Sequence, residues 1–267
     1  MHLEEMATGW PAEHVAAAVS DSAGTLARTG DPDRPFALAS VTKLLTAWAV
    51  LIAVEEGIVD LDVPVTDADA TIADLLAHAG GLGPDGGQLA PPRTRRIYSN
   101  AGYEVLGELV ARAAAMTFAH YVREAVFEPL GMVTSDLGSP AHGAVSNLAE
   151  LARFAAELLA PQLIATETAQ RATRPHLGDL AGVLPGFGRQ DPNPWGLGPE
   201  IRGAKSPHWT APSNSPETFG HFGQSGTFVW VDPSIDRACV VVTDEPFGPW
   251  AIECWPQFNE QVVAAST

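Results

Sequence analysis

The sequence Ala39-Ser40-Val41-Thr42-Lys43 opens an apolar run and contains one of only two lysines in a chain with thirteen arginines. Apolar residues at helical spacing over residues 41–56, followed by Gly57, predict a buried helix with Ser40 at its N-terminus. Residues i and i+3 share a helix face, so the Lys43 amine can approach the Ser40 hydroxyl. A buried lysine, unlike an arginine, can lose its proton and then accept one from serine. A capping serine with a surface lysine is the alternative interpretation.

Composition narrows the class of protein. With 46% hydrophobic residues, the 267-residue chain can bury a sizeable core, as one large domain or two that share a core. The net charge of −17 repels phosphate backbones and anionic membrane surfaces. We therefore expect neither nucleic acid nor a membrane among its partners.

The N-terminal residues and the cysteines bear on the compartment. Residues 1–6 lack the basic region and apolar stretch of a signal peptide, and we expect a cytoplasmic protein. A start placed too late in the chain would hide such a signal and allow secretion. In the cytoplasm, Cys239 and Cys254 are expected to be reduced thiols that fill apolar space, whereas an oxidising compartment would allow them to pair.

Periodicity along the chain predicts an α+β fold. A β-hairpin is predicted at residues 14–20 and 25–29, and strands near the other end at 195–201, 221–231 and 237–243. Helices are predicted at 71–78, 101–115, 118–127, 147–159, 167–172 and 250–264. This order implies one antiparallel β-sheet built from both chain termini and flanked by helices, with an inserted, mostly helical domain.

The same pattern gives a domain division. Residues 10–57 and 194–267 form the predicted sheet domain, and residues 58–193 form the predicted helical domain. We expect the active site in the cleft between them.

Two further motifs carry chemistry. Tyr98-Ser99-Asn100 precedes a predicted helix, where the phenol can pass a proton to a leaving group and the Asn100 amide can contact Lys43. His221-Phe222-Gly223-Gln224 lies on a predicted strand, where the glycine admits a substrate backbone and the imidazole can donate or accept. Taken alone, each motif also has a structural interpretation, as a buried tyrosine with a helix cap and as a structural histidine.

Together, the three motifs resemble those of the serine hydrolase family that includes class C β-lactamases, D-alanyl-D-alanine carboxypeptidases and related esterases, with a penicillin-binding-protein-like fold. The family pattern of Ser-x-x-Lys, Tyr-x-Asn and His/Lys-x-Gly is similar to residues 40–43, 98–100 and 221–223. Residues 75–82, 129–132, 195–198 and 226–233 also resemble the connecting signatures of that family, so the likeness covers most of residues 14–262. It implies a sheet flanked by helices plus a helical domain, in agreement with the periodicity.

The resemblance implies roles for individual residues. Ser40 would be the acylated nucleophile, Lys43 its base or base partner, and Tyr98 the proton shuttle to the leaving group. The backbone N–H groups of Ser40 and Gln224 would form an oxyanion hole, worth about 3 kcal/mol per donor. The implied substrate-binding residues are Asn100, His221, Gly223 and Gln224. No metal or organic cofactor is implied, and the eight histidines lack the close spacing of zinc motifs.

Departures from the family pattern indicate the substrate. Relatives that act on penicillins or peptide C-termini usually carry hydroxyls at the positions of Phe222 and Gln224, which receive a carboxylate. An unpaired anion in a dry site costs about 1–3 kcal/mol or more, so we expect a small-molecule ester, or else an amide, as substrate. β-Lactamase or D-Ala-D-Ala carboxypeptidase activity is the alternative, and a catalytically degenerate ligand-binding protein is the second alternative. The sequence leaves the oligomeric state open.

Residues around the motifs yield further expectations. Arg93, Arg95 and Arg96 either reach an anionic substrate group or form a solvated loop. Residues 80–92 are poor in large side chains, which predicts a comparatively open site, partly covered by residues 174–193. Candidates for an acyl pocket are Phe187 and Trp195, with a small satellite core as the alternative, and His78 is expected to cap helix carbonyls.

Replacing the nucleophile gives the first test. We expect Ser40→Ala to reduce ester turnover by about 10⁴-fold or more, because the acyl-enzyme cannot form, while circular dichroism and the melting temperature stay near those of the parent chain. Substantial remaining hydrolysis would show that Ser40 is not the nucleophile.

Overall fold

A computed structural model describes residues 1–266. The helices are α1 Leu3–Met6, α2 Thr42–Glu55, α3 Ile72–Leu76, α4 Asn100–Ala114, α5 Phe118–Val122, α6 Leu148–Leu159, α7 Thr166–Ala172 and α8 Pro249–Ala264. The strands are β1 Val15–Asp21, β2 Gly24–Thr29, β3 Phe36–Ala37, β4 Asp136–Leu137, β5 Ala144–Ser146, β6 Gly182–Leu184, β7 Gly188–Gln190, β8 Glu200–Ile201, β9 Phe219–Gly223, β10 Thr227–Asp232 and β11 Arg237–Thr243.

The main sheet joins the two ends of the chain. Its six strands run in the order β2-β1-β11-β10-β9-β8, and each neighbouring pair is antiparallel. Val15 lies opposite Thr243, so the N-terminal hairpin docks directly on the C-terminal strands. The predicted α+β class and the sheet assembled from both termini are confirmed.

Apolar layers cover both faces of this sheet. Along β1, Ala16 and Ala18 belong to a core shared with α2 and α6, whereas Ala17 and Val19 belong to a core shared with α8. This alternation follows from the two-residue period of a strand. Helix α2 is buried along nearly its whole length, which explains the continuous apolar run of the sequence.

Most predicted helices lie within a few residues of their predicted bounds. The side chain of Asn147 accepts a hydrogen bond from the Glu150 N–H and caps α6. Residues 118–127 form α5 followed by a π-helical turn at Arg123–Phe127. The domain division stays a prediction, and α6, from the predicted helical part, packs against β1 and β11.

Two predicted strands needed correction. Residues 221–231 form a hairpin of β9 and β10 instead of one strand, because the chain turns at residues 224–226, where Gly226 has φ +79°. Residues 195–201 are extended as a strand only at Glu200–Ile201, because Gly198 adopts φ +119° and the Gly196 N–H bonds to the Pro199 carbonyl.

The two cysteines and the lengths of the helices bear on the predicted compartment. Cys239 is fully buried and Cys254 is half-buried, and both are free, as the reduced-thiol interpretation predicts. Within residues 1–266, no helix combines the length and hydropathy that crossing a membrane requires. The cytoplasmic location stays a prediction.

Candidate active site

Ser40 lies in a 3₁₀ turn, Ala39–Val41, that leads into α2. One helical turn later, the Lys43 side chain is fully buried, and its Nζ lies 3.4 Å from the Ser40 Oγ. The apolar sequence of α2 drives this burial, because the helix is surrounded by core on nearly every side. The structure therefore rules out the surface lysine of the alternative interpretation.

Two oxygen acceptors orient the Lys43 amine. Its Nζ donates to the Asn100 Oδ1 and to the Ala141 carbonyl oxygen, both at 2.8 Å. A neutral amine has two hydrogens and one lone pair, so these two acceptors leave the lone pair for the third direction. In that direction lies the Ser40 hydroxyl.

Burial also sets the charge of this amine. It lowers the pKa of Lys43 from 10.5 to about 7, against the opposing pull of the Glu104 carboxylate. A substantial fraction of the Lys43 side chains is therefore neutral near pH 7. Geometry and pKa together allow Lys43 to take the proton of Ser40.

The Tyr98 hydroxyl reaches the same cluster from another part of the chain. It lies 3.5 Å from the His221 Nε2 and near enough to Ser40 for that hydroxyl to act on its pKa. The Lys43 Nζ sits 4.7 Å from the centre of its ring. Burial raises the pKa of Tyr98 well above its ordinary value, so the resting side chain is a protonated phenol. Such a group can give a proton to a leaving group.

His221 faces Tyr98 as a neutral imidazole. Burial, helped by the charge of Lys43, lowers the pKa of His221 to about 3. Its Nδ1–H donates to the Phe222 carbonyl oxygen at 2.6 Å, which leaves the Nε2 as an acceptor toward the phenol. This histidine therefore holds the Tyr98 hydroxyl without competing for its proton at neutral pH.

Gly223 has a structural reason to be glycine. A Cβ at this position would collide with the Leu38 carbonyl oxygen and crowd the Ala39 side chain, immediately before Ser40. The contact lets β9 run close to the nucleophile's turn, and Gln224 follows at the edge of the cavity that Ser40 lines. This packing is enough to require the glycine, and its role in admitting a substrate backbone stays a prediction.

One narrow cavity of about 110 Å³ collects most of the predicted residues: Ser40, Tyr98, Asn100, His221 and Gln224. Lys43 supports it from beneath through its contacts with Ser40 and Asn100. The structure thus brings all seven predicted residues together, and their catalytic and binding roles stay predictions.

The cavity walls correct two expectations. The loop of residues 174–193 contributes Leu184 and Pro185, and Trp195 also lines the cavity. Phe187 does not line it, because its ring packs in an aromatic cluster with Phe222. The expected open site is also wrong at the nucleophile, where these walls leave little space.

A buried ionic cluster at the cavity wall escaped the sequence analysis. Glu200 lines the cavity, and its Oε1 accepts from the Lys205 Nζ at 2.6 Å and from the His208 Nε2 at 2.9 Å. Burial works to raise the pKa of Glu200, but Lys205 and His208 outweigh it and keep the pKa well below its usual range. The sequence feature that could have indicated this cluster is Lys205, the second of the two lysines. Its partners could not be identified without the fold.

The three arginines have three different positions. Arg93 pairs with the buried Asp74. Arg96 is buried and donates to backbone carbonyls, including those of Ala77 and Asn193. Arg95 is exposed, so contact with an anionic substrate group stays open for this arginine alone.

His78 supports the second motif in an unexpected way. Its Nδ1 accepts from the Ser99 N–H at 3.2 Å, and its ring packs 4.5 Å from that of Tyr98. The predicted capping of helix carbonyls by its side chain is wrong, because the Nδ1 is an acceptor and the Nε2, the nitrogen that could donate, has no hydrogen-bond partner among the described residues.

Possible metal ligands lie apart from this cavity. Among residues 1–266, the side chains of Glu13, His14 and Asp244 approach one another within 4.8 Å, and the first is exposed to solvent. None of the three lines the cavity at Ser40.

Comparisons with known proteins show the family and the fold of this chain. The model of a protein family described as Beta-lactamase matches residues 11–252. A crystal structure of a beta-lactamase from Mycobacterium bovis is 51% identical and superimposes with a TM-score of 0.97 over 99% of each chain. Simvastatin synthase from Aspergillus terreus is 17% identical, with a TM-score of 0.79 over 99% of this chain and 93% of that one, which shows a shared fold.

A curated relative matches over a shorter stretch. Penicillin-binding protein 4 of Amycolatopsis lactamdurans is 30% identical over an alignment that covers 38% of this chain. The match spans about a third of that protein, 35% of its length.

The pKa of Lys43 predicts a pH profile. Because the neutral amine is the active form and its pKa is about 7, kcat/KM for an ester is expected to fall about tenfold per pH unit below pH 6 and to level off above pH 8. Steady-state kinetics between pH 5 and 9 measure this limb. A flat profile across that range would contradict a lysine base.

Gly223→Ala tests the close approach of β9 to the turn at Ser40. The added Cβ pushes Gln224 away from the nucleophile, so kcat is expected to drop by about 10²-fold or more, as for the loss of an oxyanion donor. Gly248→Ala is the matched control, since a Cβ there meets no atom closer than 3.8 Å. Equal kcat values for both variants would show that this approach does not position the site.

Proposed function

This chain belongs to the beta-lactamase family of serine hydrolases, and from that premise we propose that it hydrolyses small-molecule esters through an acyl-enzyme on Ser40. The observation that carries the proposal is the buried Lys43 amine, whose two carbonyl acceptors leave its lone pair directed at the Ser40 hydroxyl.

In the proposed acylation, Ser40 attacks the ester carbonyl while Lys43 takes its proton. The backbone N–H groups of Ser40 and Gln224 stabilise the oxyanion that forms. As the C–O bond of the ester breaks, the Tyr98 phenol gives its proton to the leaving alkoxide and regains one from the Lys43 ammonium. The products of this stage are an alcohol and an acyl-serine.

Deacylation repeats these steps with water in place of the serine hydroxyl. Lys43 takes a proton from the water, which attacks the acyl-serine. The bond from the acyl carbon to the Ser40 Oγ breaks, and the Lys43 ammonium returns its proton to the Ser40 oxygen, directly or through the Tyr98 phenol. A carboxylic acid leaves, and the site returns to its starting state.

The preference for esters is supported by what surrounds the nucleophile. Phe222 lines the cavity without offering a hydrogen-bond donor, and its ring packs against Phe247 at 4.9 Å. Glu200 lies at the same wall with its charge balanced by Lys205, and as an acceptor it offers no hydrogen bond to a carboxylate placed next to the scissile bond. β-Lactams and peptide C-termini carry such a carboxylate, whereas simple esters do not.

β-Lactam hydrolysis is the second candidate. It is favoured by the 51% identity to the Mycobacterium bovis protein whose crystal structure is described as that of a beta-lactamase.

A substrate panel tests this preference. The kcat/KM for p-nitrophenyl acetate or butyrate is expected to exceed that for nitrocefin by at least about tenfold, because Phe222 and Gln224 stand where relatives carry the hydroxyls that receive such a carboxylate. Ser40→Ala, assayed beside the parent chain, corrects for background hydrolysis. A higher kcat/KM for nitrocefin would replace the esterase proposal with the β-lactamase alternative.

A further inference from the structure

A wide groove of about 690 Å³ lies beside the narrow cavity at Ser40. Its apolar lining comes from two walls, one that includes Pro84, Leu89 and Ile97 and one that includes Val183 and Pro185. Leu89 and Val183 are 58% and 60% exposed, unusual values for large apolar side chains that line the same depression. We call this feature the Arg95 groove, after the exposed arginine that also lines it.

Both walls of the Arg95 groove are held in place by Arg96. The Arg96 N–H bonds to the Ala181 carbonyl at 2.8 Å, and its buried guanidinium donates to the Leu177 and Asn193 carbonyls. One residue therefore ties the wall before Tyr98 to the loop that carries Val183. The groove is a preformed feature of the fold, as ligand sites usually are.

The Arg95 groove is continuous with the candidate catalytic cavity. Tyr98 and Pro185 line both spaces. A substrate whose scissile bond lies at Ser40 therefore has room to extend past Tyr98 into the groove. The volume falls within the range of about 300–1,000 Å³ that is typical of small-molecule sites.

The charge of the Arg95 groove is opposite to that of the chain. Arg95 and Arg189 are exposed at its surface and Arg96 lies beneath it, while none of its lining residues is acidic. Burial lowers the pKa of Arg96 only to about 10, so it keeps its charge. Arg189 pairs with Asp191, which leaves Arg95 as the guanidinium without an acidic partner on the groove surface. In a chain of net charge −17, such a surface favours an anion.

The geometry points to an extended substrate: we propose that the Arg95 groove binds the part remote from the scissile bond, and that this part is an apolar segment ending in a carboxylate or similar anion held by Arg95. This inference rests on the proposed ester hydrolysis and names its substrate class.

The position of the anion agrees with the rest of the site. Near Ser40, the side chains of Glu200 and Phe222 offer no hydrogen-bond donor to a negative charge. Farther from Ser40, Leu89 and Val183 contact the apolar segment of the substrate, and Arg95 pairs with the anion at its end. An anion is thus tolerated only at a distance from the reacting carbonyl.

Two matched ester pairs test this proposal and separate the two halves of the substrate. The acyl pair is p-nitrophenyl hydrogen suberate and p-nitrophenyl methyl suberate. The leaving-group pair is 8-acetoxyoctanoate and its methyl ester. In one of the pairs, KM for the acid is expected to be at least tenfold lower than KM for the methyl ester, and the pair that responds identifies the half that occupies the groove.

Variants assign the effect to the Arg95 groove. Arg95→Gln is expected to bring KM for the acid close to that for its methyl ester, and Val183→Asp, which places an anion in the groove, is expected to do the same. Arg112→Gln, an exposed arginine on α4, removes the same charge elsewhere and is expected to keep the preference. A preference that survives Arg95→Gln would overturn the proposal.

Calorimetry on the Ser40→Ala chain separates this inference from ester hydrolysis itself. Tighter binding of the acid than of the methyl ester to this variant, with no turnover by the parent chain, would support the groove and refute the hydrolysis. Turnover of both pairs by the parent chain with equal KM values would refute the groove and leave the hydrolysis standing.

Discussion

The burial of one amine is the constraint on which the site depends. Lys43 lies inside the most apolar helix of the chain, where the cost of burying a charge lowers its pKa to about 7. Asn100 and the Ala141 carbonyl satisfy two of its directions, and Ser40 occupies the third. The amine thus joins the nucleophile's helix to the start of α4 and to the loop before β5. Without the core around α2, the lysine would be an ordinary cation and the serine an ordinary cap.

The remaining groups around Ser40 are arranged by close packing of backbones. Gly223 lets β9 approach the Leu38–Ala39 segment, and the Thr227 hydroxyl bonds to the Leu38 carbonyl at 3.0 Å. Burial keeps both His78 and His221 neutral, and the rings of both pack against that of Tyr98. A protonated phenol and a partly neutral amine therefore coexist near pH 7, a pairing that acid–base catalysis on an ester requires.

The sequence predicted the features that rest on local patterns, namely the hairpin at the N-terminus, the long helices, strand β11 and the three motifs at the site. It misjudged residues 221–231 as one strand, although Gly223-Gln224-Ser225-Gly226 offered a turn signal at the point where the chain reverses. The roles of Arg96 and of the Glu200–Lys205 pair depend on carbonyls and side chains supplied by distant segments or neighbouring turns, and no local pattern records them. The same holds for Phe187, which an aromatic cluster removes from the cavity.

Direct titration of the lysine tests the central claim most closely, and the composition makes it practical. With only Lys43 and Lys205 in the chain, lysine labelled with ¹³C at Cε gives two side-chain signals, and Lys43→Met identifies the first by its loss. Our account predicts that the Lys43 signal titrates near pH 7, with Lys205 near pH 8. A Lys43 signal that titrates above pH 10 would contradict the account, because the amine would then be fully protonated wherever the enzyme works.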